Sequence, residues 1–345
     1  MTRVIRIVAA AGLVVGLALA LLPGAGADDA DAVLERARTA TVREDFSGVV
    51  QIEWLADGEW RTAKAKVSGT GGTVQVGEGT RQAEGRGNDR WIAGVSGWQA
   101  GWDEPVSGEV PAPSAHWDLT LSRADSVAGR TAVVVTAVDR DSGTARLKVY
   151  CDKDTGVMLR REVLDRKGKV VRAVGFVEVK KLGGSRSAPP AVPDTTAAKT
   201  KSGEKVDPTP DEVVDLPKGF HAPDRIAGGF VLAGRYLRED ETVQLYYTDG
   251  LFGFSVFQQR GDLDWAGLPR GGDGIVVDGA DARGYEVAGG TVLVWDRDDT
   301  TRTLVSDAPM ADLRAFAAAF DDGTRDHPGL VERITDFVLG PFGWR

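Results

Sequence analysis

An α+β chain of two units, each an antiparallel sheet with a helix packed on it, is the fold class that the sequence predicts. Three observations carry it. Strand-length runs rich in Val, Ile, Thr and aromatic residues recur between Asp-Gly and similar turn pairs, so neighbouring strands join as hairpins and pair antiparallel. Helix-period apolar stripes stand near the two ends of the series, at residues 29–42 and 310–320. Between residues 183 and 211 the chain offers Pro, Ser, Thr, Lys and Ala but almost nothing to bury, which reads as a flexible linker between folding units.

Residues 1–27 read as a secretory signal. Arg3 and Arg6 precede an apolar run from Ile7 to Leu22, followed by Pro23 and the small-residue site Ala25-Gly26-Ala27. The run favours cleavage, with a mature start at about Asp28, over retention as a membrane anchor. No cysteine follows the site to carry a lipid. The expected destination is therefore periplasmic or otherwise extracytoplasmic. The remaining chain, roughly 300 residues, is long enough for two domains with separate cores.

The first domain is expected over residues 28–182. It opens on a helix, Asp29 to Val42, with Val33, Leu34 and Ala37 on one face and Glu35, Arg36 and Arg38 on the other. The run "FSGVVQIEWLADGEWRTAKAKVSG" then gives two strands about Asp57-Gly58, and "RTAVVVTAV" and "TARLKVYCD" give two more about Asp141-Ser142-Gly143. The second domain, residues 212–345, repeats the order of strands followed by a helix. In that helix Leu313, Phe316, Ala317 and Phe320 form a core-facing stripe.

The hairpin "VQLYYTDGLFGFSVFQQ", Val243 to Gln259, is the most strongly patterned piece of the second domain. A two-residue type I′ turn at Asp249-Gly250 would pair Thr248 with Leu251, Tyr247 with Phe252, Tyr246 with Gly253, Leu245 with Phe254 and Val243 with Val256. One face is then apolar, with Val243, Leu245 and Tyr247 opposite Val256, Phe254 and Phe252, and is expected to pack on the Leu313, Phe316, Phe320 stripe. The other face carries Gln244, Tyr246 and Ser255 and is expected to be open to a partner.

The net charge of −9, with both signs interspersed, argues against nucleic acid and against a polybasic membrane patch. Cys151 is the only cysteine, so no internal disulfide can form, and its strand context predicts a buried thiol.

Catalytic and metal motifs are missing from the sequence. His116, His221 and His327 are the only histidines, and none has ligands at metal spacing around it. "GVSGW", Gly94 to Trp98, lacks the final glycine of a nucleophile elbow around Ser96. "GTGGT", Gly69 to Thr73, lacks the third glycine and the helix of a phosphate loop. "DKDTG", Asp152 to Gly156, begins like a calcium loop, but Val163 stands where the bidentate acid belongs. "DRDDT", Asp296 to Thr300, has the polar chemistry of a hairpin loop. Scattered carboxylates that meet in space, as in glycoside hydrolysis, are the remaining route to a secreted hydrolase. The expectation is a protein with no catalytic residues, no metal and no cofactor.

The aromatic signal is stronger. Trp54, Trp60, Trp91, Trp98, Trp102 and Trp117 all fall in the first domain, which reads either as a large core or as the floor of an apolar, lipid-binding cavity.

Two segments resemble a known family, the sigma-E regulatory proteins RseB and MucB. "YCDKDTGVMLRREVLDRKGKVVRAVGFVEV", Tyr150 to Val179, is similar to that family's block of three strands with an Asp-x-x-Thr-Gly turn. "DLPKGF", Asp215 to Phe220, followed by "QLYYTDGLFGFSVFQQ", is similar to its second-domain signature, and "DFSGVVQIEW", Asp45 to Trp54, adds a third match. The resemblance implies a first domain like the carriers LolA and LppX, a half-open antiparallel β-barrel with helices, joined to a smaller sheet with a packed helix. It also implies a non-catalytic regulator that binds the extracytoplasmic segment of a membrane-bound anti-sigma factor and shields it from proteolysis, with a lipid or lipoprotein as a further ligand. A lipid or lipoprotein carrier is the alternative function.

Overall fold

The computed structural model describes residues 27–70, 73–78, 81–84, 110–184, 216–217, 219–237 and 242–320. Helix α1 (Ala27–Arg43) opens them, close to the expected span. Next come β1 (Phe46–Ala56), β2 (Glu59–Thr70), β3 (Thr73–Glu78) and β4 (Arg81–Glu84). A 3-10 turn (Pro113–Ala115) leads into β5 (Trp117–Val127), β6 (Arg130–Asp139), β7 (Ala145–Asp152), β8 (Met158–Leu164) and β9 (Val170–Leu182). These nine strands form one antiparallel sheet in the order β4-β3-β2-β1-β9-β8-β7-β6-β5. The sheet is open, with β4 and β5 as its two edges.

Alternation explains the layout of this sheet. Along β1 every second residue is buried, from Phe46 through Val50, Ile52 and Trp54 to Ala56, which is the period of a strand with one face on a core. Register carries that face across the sheet. Ile52 stands beside Val174 of β9, Val174 beside Arg161 of β8, and Arg161 beside Val149 of β7. Helix α1 lies over β5, β6 and β2 and buries Ala30, Leu34 and Ala37 on the core side. The Asp57-Gly58 hairpin forms as expected: both residues have positive φ, at 53° and 77°, and Ala56 pairs with Glu59.

The second sheet is also antiparallel and open. Its strands are β10 (Arg225–Ile226), β11 (Phe230–Leu237), β12 (Val243–Thr248), β13 (Gly253–Arg260), β14 (Asp273–Val277), β15 (Ala280–Val287), β16 (Gly290–Arg297) and β17 (Thr300–Ser306), in the order β10-β11-β12-β13-β17-β16-β15-β14. Helix α2 (Met310–Phe320) covers one face with Leu313, Phe316, Ala317 and Phe320. The apolar face of the β12–β13 hairpin meets it as expected: the Phe316 ring stacks on Phe254 at 4.5 Å and meets Tyr247 edge-on at 5.4 Å.

The hairpin register differs from the expected one. Thr248 pairs with Gly253, Tyr247 with Phe254, Tyr246 with Ser255 and Leu245 with Val256, so four residues, Asp249 to Phe252, make the loop. The cause is local hydrogen bonding. Asp249 Oδ1 accepts the backbone N–H groups of Leu251 at 2.8 Å and Phe252 at 2.7 Å, and the Thr248 hydroxyl donates to the Phe252 carbonyl. A shift of two residues keeps the paired side chains on their faces but moves Phe252 out of the ladder into the loop, against Trp117 and Arg161. The faces of the paired residues were therefore right while the register was not.

The opposite face of the hairpin is not open to solvent. Gln244 is fully buried and Tyr246 is 2% exposed, whereas Ser255 is half-buried. Farther across the second sheet, Leu263 and Leu268 form a separate small core with Tyr285, Val287, Val292 and Val294 of β15 and β16.

Candidate functional site at the junction of the two sheets

The two sheets share one continuous apolar core, and the loop Asp249–Phe252 is inserted where they meet. Four elements of the first sheet's unit hold that loop. From α1, Arg38 donates to the Gly250 carbonyl at 2.6 Å. From β5, the Trp117 indole N–H donates to Asp249 Oδ2 at 3.1 Å, and the Trp117 ring lies 5.8 Å from that of Phe252. From β8, Arg161 donates to the Leu251 carbonyl at 3.1 Å and places its guanidinium 5.5 Å from the centre of the Phe252 ring. Gly250 sits against Pro111 and Pro113 with φ of 92°, so the close approach and the left-handed backbone both require glycine there.

Further arginines fasten the junction on either side. Arg172 of β9 donates to the carbonyls of Val287 and Ala288 at 2.9 and 3.0 Å. Arg161 also pairs with Asp307, and Arg146 and Arg166 both pair with Asp312 on α2. Arg161 and Arg172 occupy strand positions that face the first sheet's core, where an apolar residue is the norm. Burial lowers both side chains to a pKa of about 10, far enough above neutrality to leave them charged. Carbonyls and carboxylates of the second sheet's unit satisfy those charges. Inward-facing arginines in "MLRREVL" and "VVRAVGF" are the sequence signal that something polar covers this face.

Asp249 is buried, and burial raises its carboxyl above the usual aspartate range against the pull of its backbone N–H bonds. Burial likewise pushes the Cys151 thiol up to about 12, which makes it a poor nucleophile. No group of His, Cys, Asp and Glu able to hold a metal ion occurs among the described residues. His116 lies against Gly229, and the His221 ring meets Phe320 edge-on at 5.8 Å, so both rings pack against other parts of the chain. His327 lies outside the described residues.

The residues expected to line a lipid cavity do not share one surface. Trp54 is buried on the core face of β1, whereas Trp60, paired with Leu55 on the other face, is 49% exposed. Trp117 is committed to Asp249 and Phe252. Trp91, Trp98 and Trp102 lie outside the described residues, as does Ser96. Of the residues expected to meet a partner, Gln244 has an amide with no hydrogen-bond partner, and Tyr246 and Ser255 are cross-strand neighbours. Sequence reasoning missed Arg38, Arg161, Arg172 and Asp307 as junction residues.

The sequence model described as the MucB/RseB N-terminal domain matches residues 89–199. A search of characterised proteins finds the sigma factor AlgU regulatory protein MucB of Pseudomonas aeruginosa, 26% identical over 258 residues, covering 69% of this chain and 77% of that protein. The chain is RseB/MucB-like. The sigma-E factor regulatory protein RseB of Haemophilus influenzae is 27% identical over 148 residues, which span 42% of this chain and 44% of that protein. Among solved structures, the MucA/MucB complex of Pseudomonas aeruginosa aligns over 87% of this chain and 100% of the matched chain, with 21% identity and a TM-score of 0.46. The likeness to MucB extends over more of the chain than either sheet occupies.

Proposed function

We propose that this chain is an extracytoplasmic, non-catalytic regulator that binds the segment an anti-sigma factor exposes outside the cytoplasm, and that binding protects that segment from proteolysis. The observation that carries the reading is the likeness to the regulatory protein MucB over 69% of the chain. A shared carrier domain alone would match only the first unit. The leader expected at residues 1–27 agrees with a regulator that acts beyond the membrane.

The geometry agrees with binding rather than turnover. Among the described residues the strongly perturbed groups serve the fold: Arg161 and Arg172 fasten the junction, Asp249 shapes its loop, and Cys151 is sealed in a strand. Perturbed groups of an enzyme converge on a cleft with a nucleophile or base in reach of substrate. These face carbonyls and rings of their own chain.

Calorimetric titration of the purified mature chain with the extracytoplasmic segment of a single-span anti-sigma factor from the same genome tests the reading. Saturable one-to-one binding, with slower cleavage of the bound segment by a site-specific protease, is expected. An absence of binding overturns it.

A further inference from the structure

The loop Asp249–Phe252 is held as a ligand is held. Its carboxylate, two successive carbonyls and one aromatic ring are all met by three residues of the other unit: the Trp117 indole N–H meets the carboxylate, Arg38 and Arg161 meet the carbonyls, and the Trp117 ring and Arg161 guanidinium meet the ring. Those groups come from α1, β5 and β8, so the receptor is assembled from the tertiary fold of the first unit. Ordinary packing between domains sets an apolar centre within a polar, hydrogen-bonded rim. It does not require recognition of consecutive backbone carbonyls and a side-chain carboxylate in one turn.

We propose that the mouth of the first unit, built by Arg38, Trp117 and Arg161, is a binding site for peptide turns of the form acid-Gly-apolar-aromatic, occupied in cis by the chain's own Asp249-Gly250-Leu251-Phe252. An external peptide with that chemistry competes with the internal one. The internal turn has the advantage of effective concentration, on the order of millimolar for a short tether, so an external peptide binds only the fraction of molecules whose own turn is withdrawn. Substitutions that weaken the internal turn alone must tighten external binding. Substitutions in the receptor must weaken it. A junction that is only packing gives no such opposition of sign.

The test uses the full chain and a fluorescent synthetic peptide of Tyr246 to Ser255, Tyr-Tyr-Thr-Asp-Gly-Leu-Phe-Gly-Phe-Ser. Fluorescence anisotropy is expected to show weak binding to the wild type and binding at least about tenfold tighter to Phe252→Ala, which removes the ring held by Trp117 and Arg161. Gly250→Ala, whose added methyl would run into the Pro111 carbonyl, is expected to show the same gain. Adding Trp117→Phe to either variant keeps a ring but deletes the indole donor, and is expected to cancel about tenfold of the gain. In the wild type, saturating peptide is expected to speed hydrogen exchange of the Leu251 and Phe252 amides. Unchanged affinity in the folded loop variants, a gain that survives Trp117→Phe, or unchanged exchange in the wild type would overturn the proposal. None of these readouts involves an anti-sigma segment, so they stand apart from the test of the proposed function.

Discussion

Two aspartate turns, Asp152 in the first sheet and Asp249 in the second, are built alike and titrate in opposite directions. In each, Oδ1 accepts backbone N–H groups two and three residues ahead: Asp154 at 3.2 Å and Thr155 at 2.8 Å for the first, Leu251 at 2.8 Å and Phe252 at 2.7 Å for the second. In each, a glycine with positive φ follows, Gly156 at 84° and Gly250 at 92°. Both aspartates are covered, at 2% and 1% exposure, but the Asp152 turn exposes Lys153 and Asp154 to solvent whereas Gly250 to Phe252 are buried. The partners of the two carboxylates differ as well, and Arg130 also donates to Asp152 Oδ1 at 3.0 Å.

Asp152 Oδ2 takes the Arg130 guanidinium at 2.9 Å, whereas Asp249 Oδ2 takes the neutral Trp117 indole at 3.1 Å. Burial would raise Asp152, but Arg130 and the Thr155 bonds outweigh it and hold the carboxyl below the usual range. Burial raises Asp249, and neutral donors offset only part of that shift. The same local motif is therefore a charge-stabilised surface turn in one place and a buried docking element in the other. The difference comes from deep burial at Asp249 and from the Arg130 cation at Asp152.

Substitutions sharpen this comparison, beginning with the floor beneath the second turn. Phe254→Ala deletes the ring stacked on Phe316 and is expected to cost about 4 kcal/mol in denaturant unfolding, because Phe-to-Ala truncation in a core leaves a cavity. The Asp152 turn should keep its amide protection until the first unit itself unfolds. Arg161→Ala leaves Asp307 buried without its cation and is expected to cost about 3 kcal/mol, and Arg161→Met, which fills the same space without a charge, leaves the same carboxylate unpaired and is expected to cost nearly as much. A much smaller loss from Arg161→Met would show that packing, not charge, makes that contact. Asp152→Asn keeps the turn's Oδ1 acceptor and loses the ionic half of the Arg130 pair. It is expected to cost about 1 kcal/mol at pH 7, since Arg130 is 34% exposed and screened, and chemical denaturation at two salt concentrations reads the screened share.

The same contrast shows what was legible in the sequence. The α2 span and stripe, the Asp57-Gly58 turn and the two faces of the β12–β13 hairpin follow from period and turn chemistry within a few residues of chain. The register at Asp249 did not, because a side chain that bonds its own backbone competes with the two-residue turn, and Trp117 holds that side chain from another unit. Tyr246 is polar at its tip and sits on a face that alternates correctly, yet it is buried, since a sheet with both faces covered loses the polar-out signature. The junction was half legible: Arg161 and Arg172 break the apolar parity of their strands, but nothing local says that the carbonyls of Leu251, Val287 and Ala288 meet them.

The signs of the two titrations follow from linkage. Asp152, depressed in the folded state, contributes stability above the unfolded aspartate pKa near about 3.9, and that contribution is lost as pH falls through its lower folded value. Asp249, raised in the folded state, contributes most below the unfolded pKa, and that contribution is lost as pH rises through its higher folded value. Mild acid therefore tightens the docked loop before stronger acid breaks the Arg130 pair.

Carboxyl carbon NMR of the selectively labelled, intact chain measures this most directly, with Asp152→Asn and Asp249→Asn spectra supplying the assignments. The account predicts that Asp249 titrates above a free aspartate and Asp152 below it in the same sample. Asp249 titrating at or below the free value would contradict the docked loop at the junction of the two sheets.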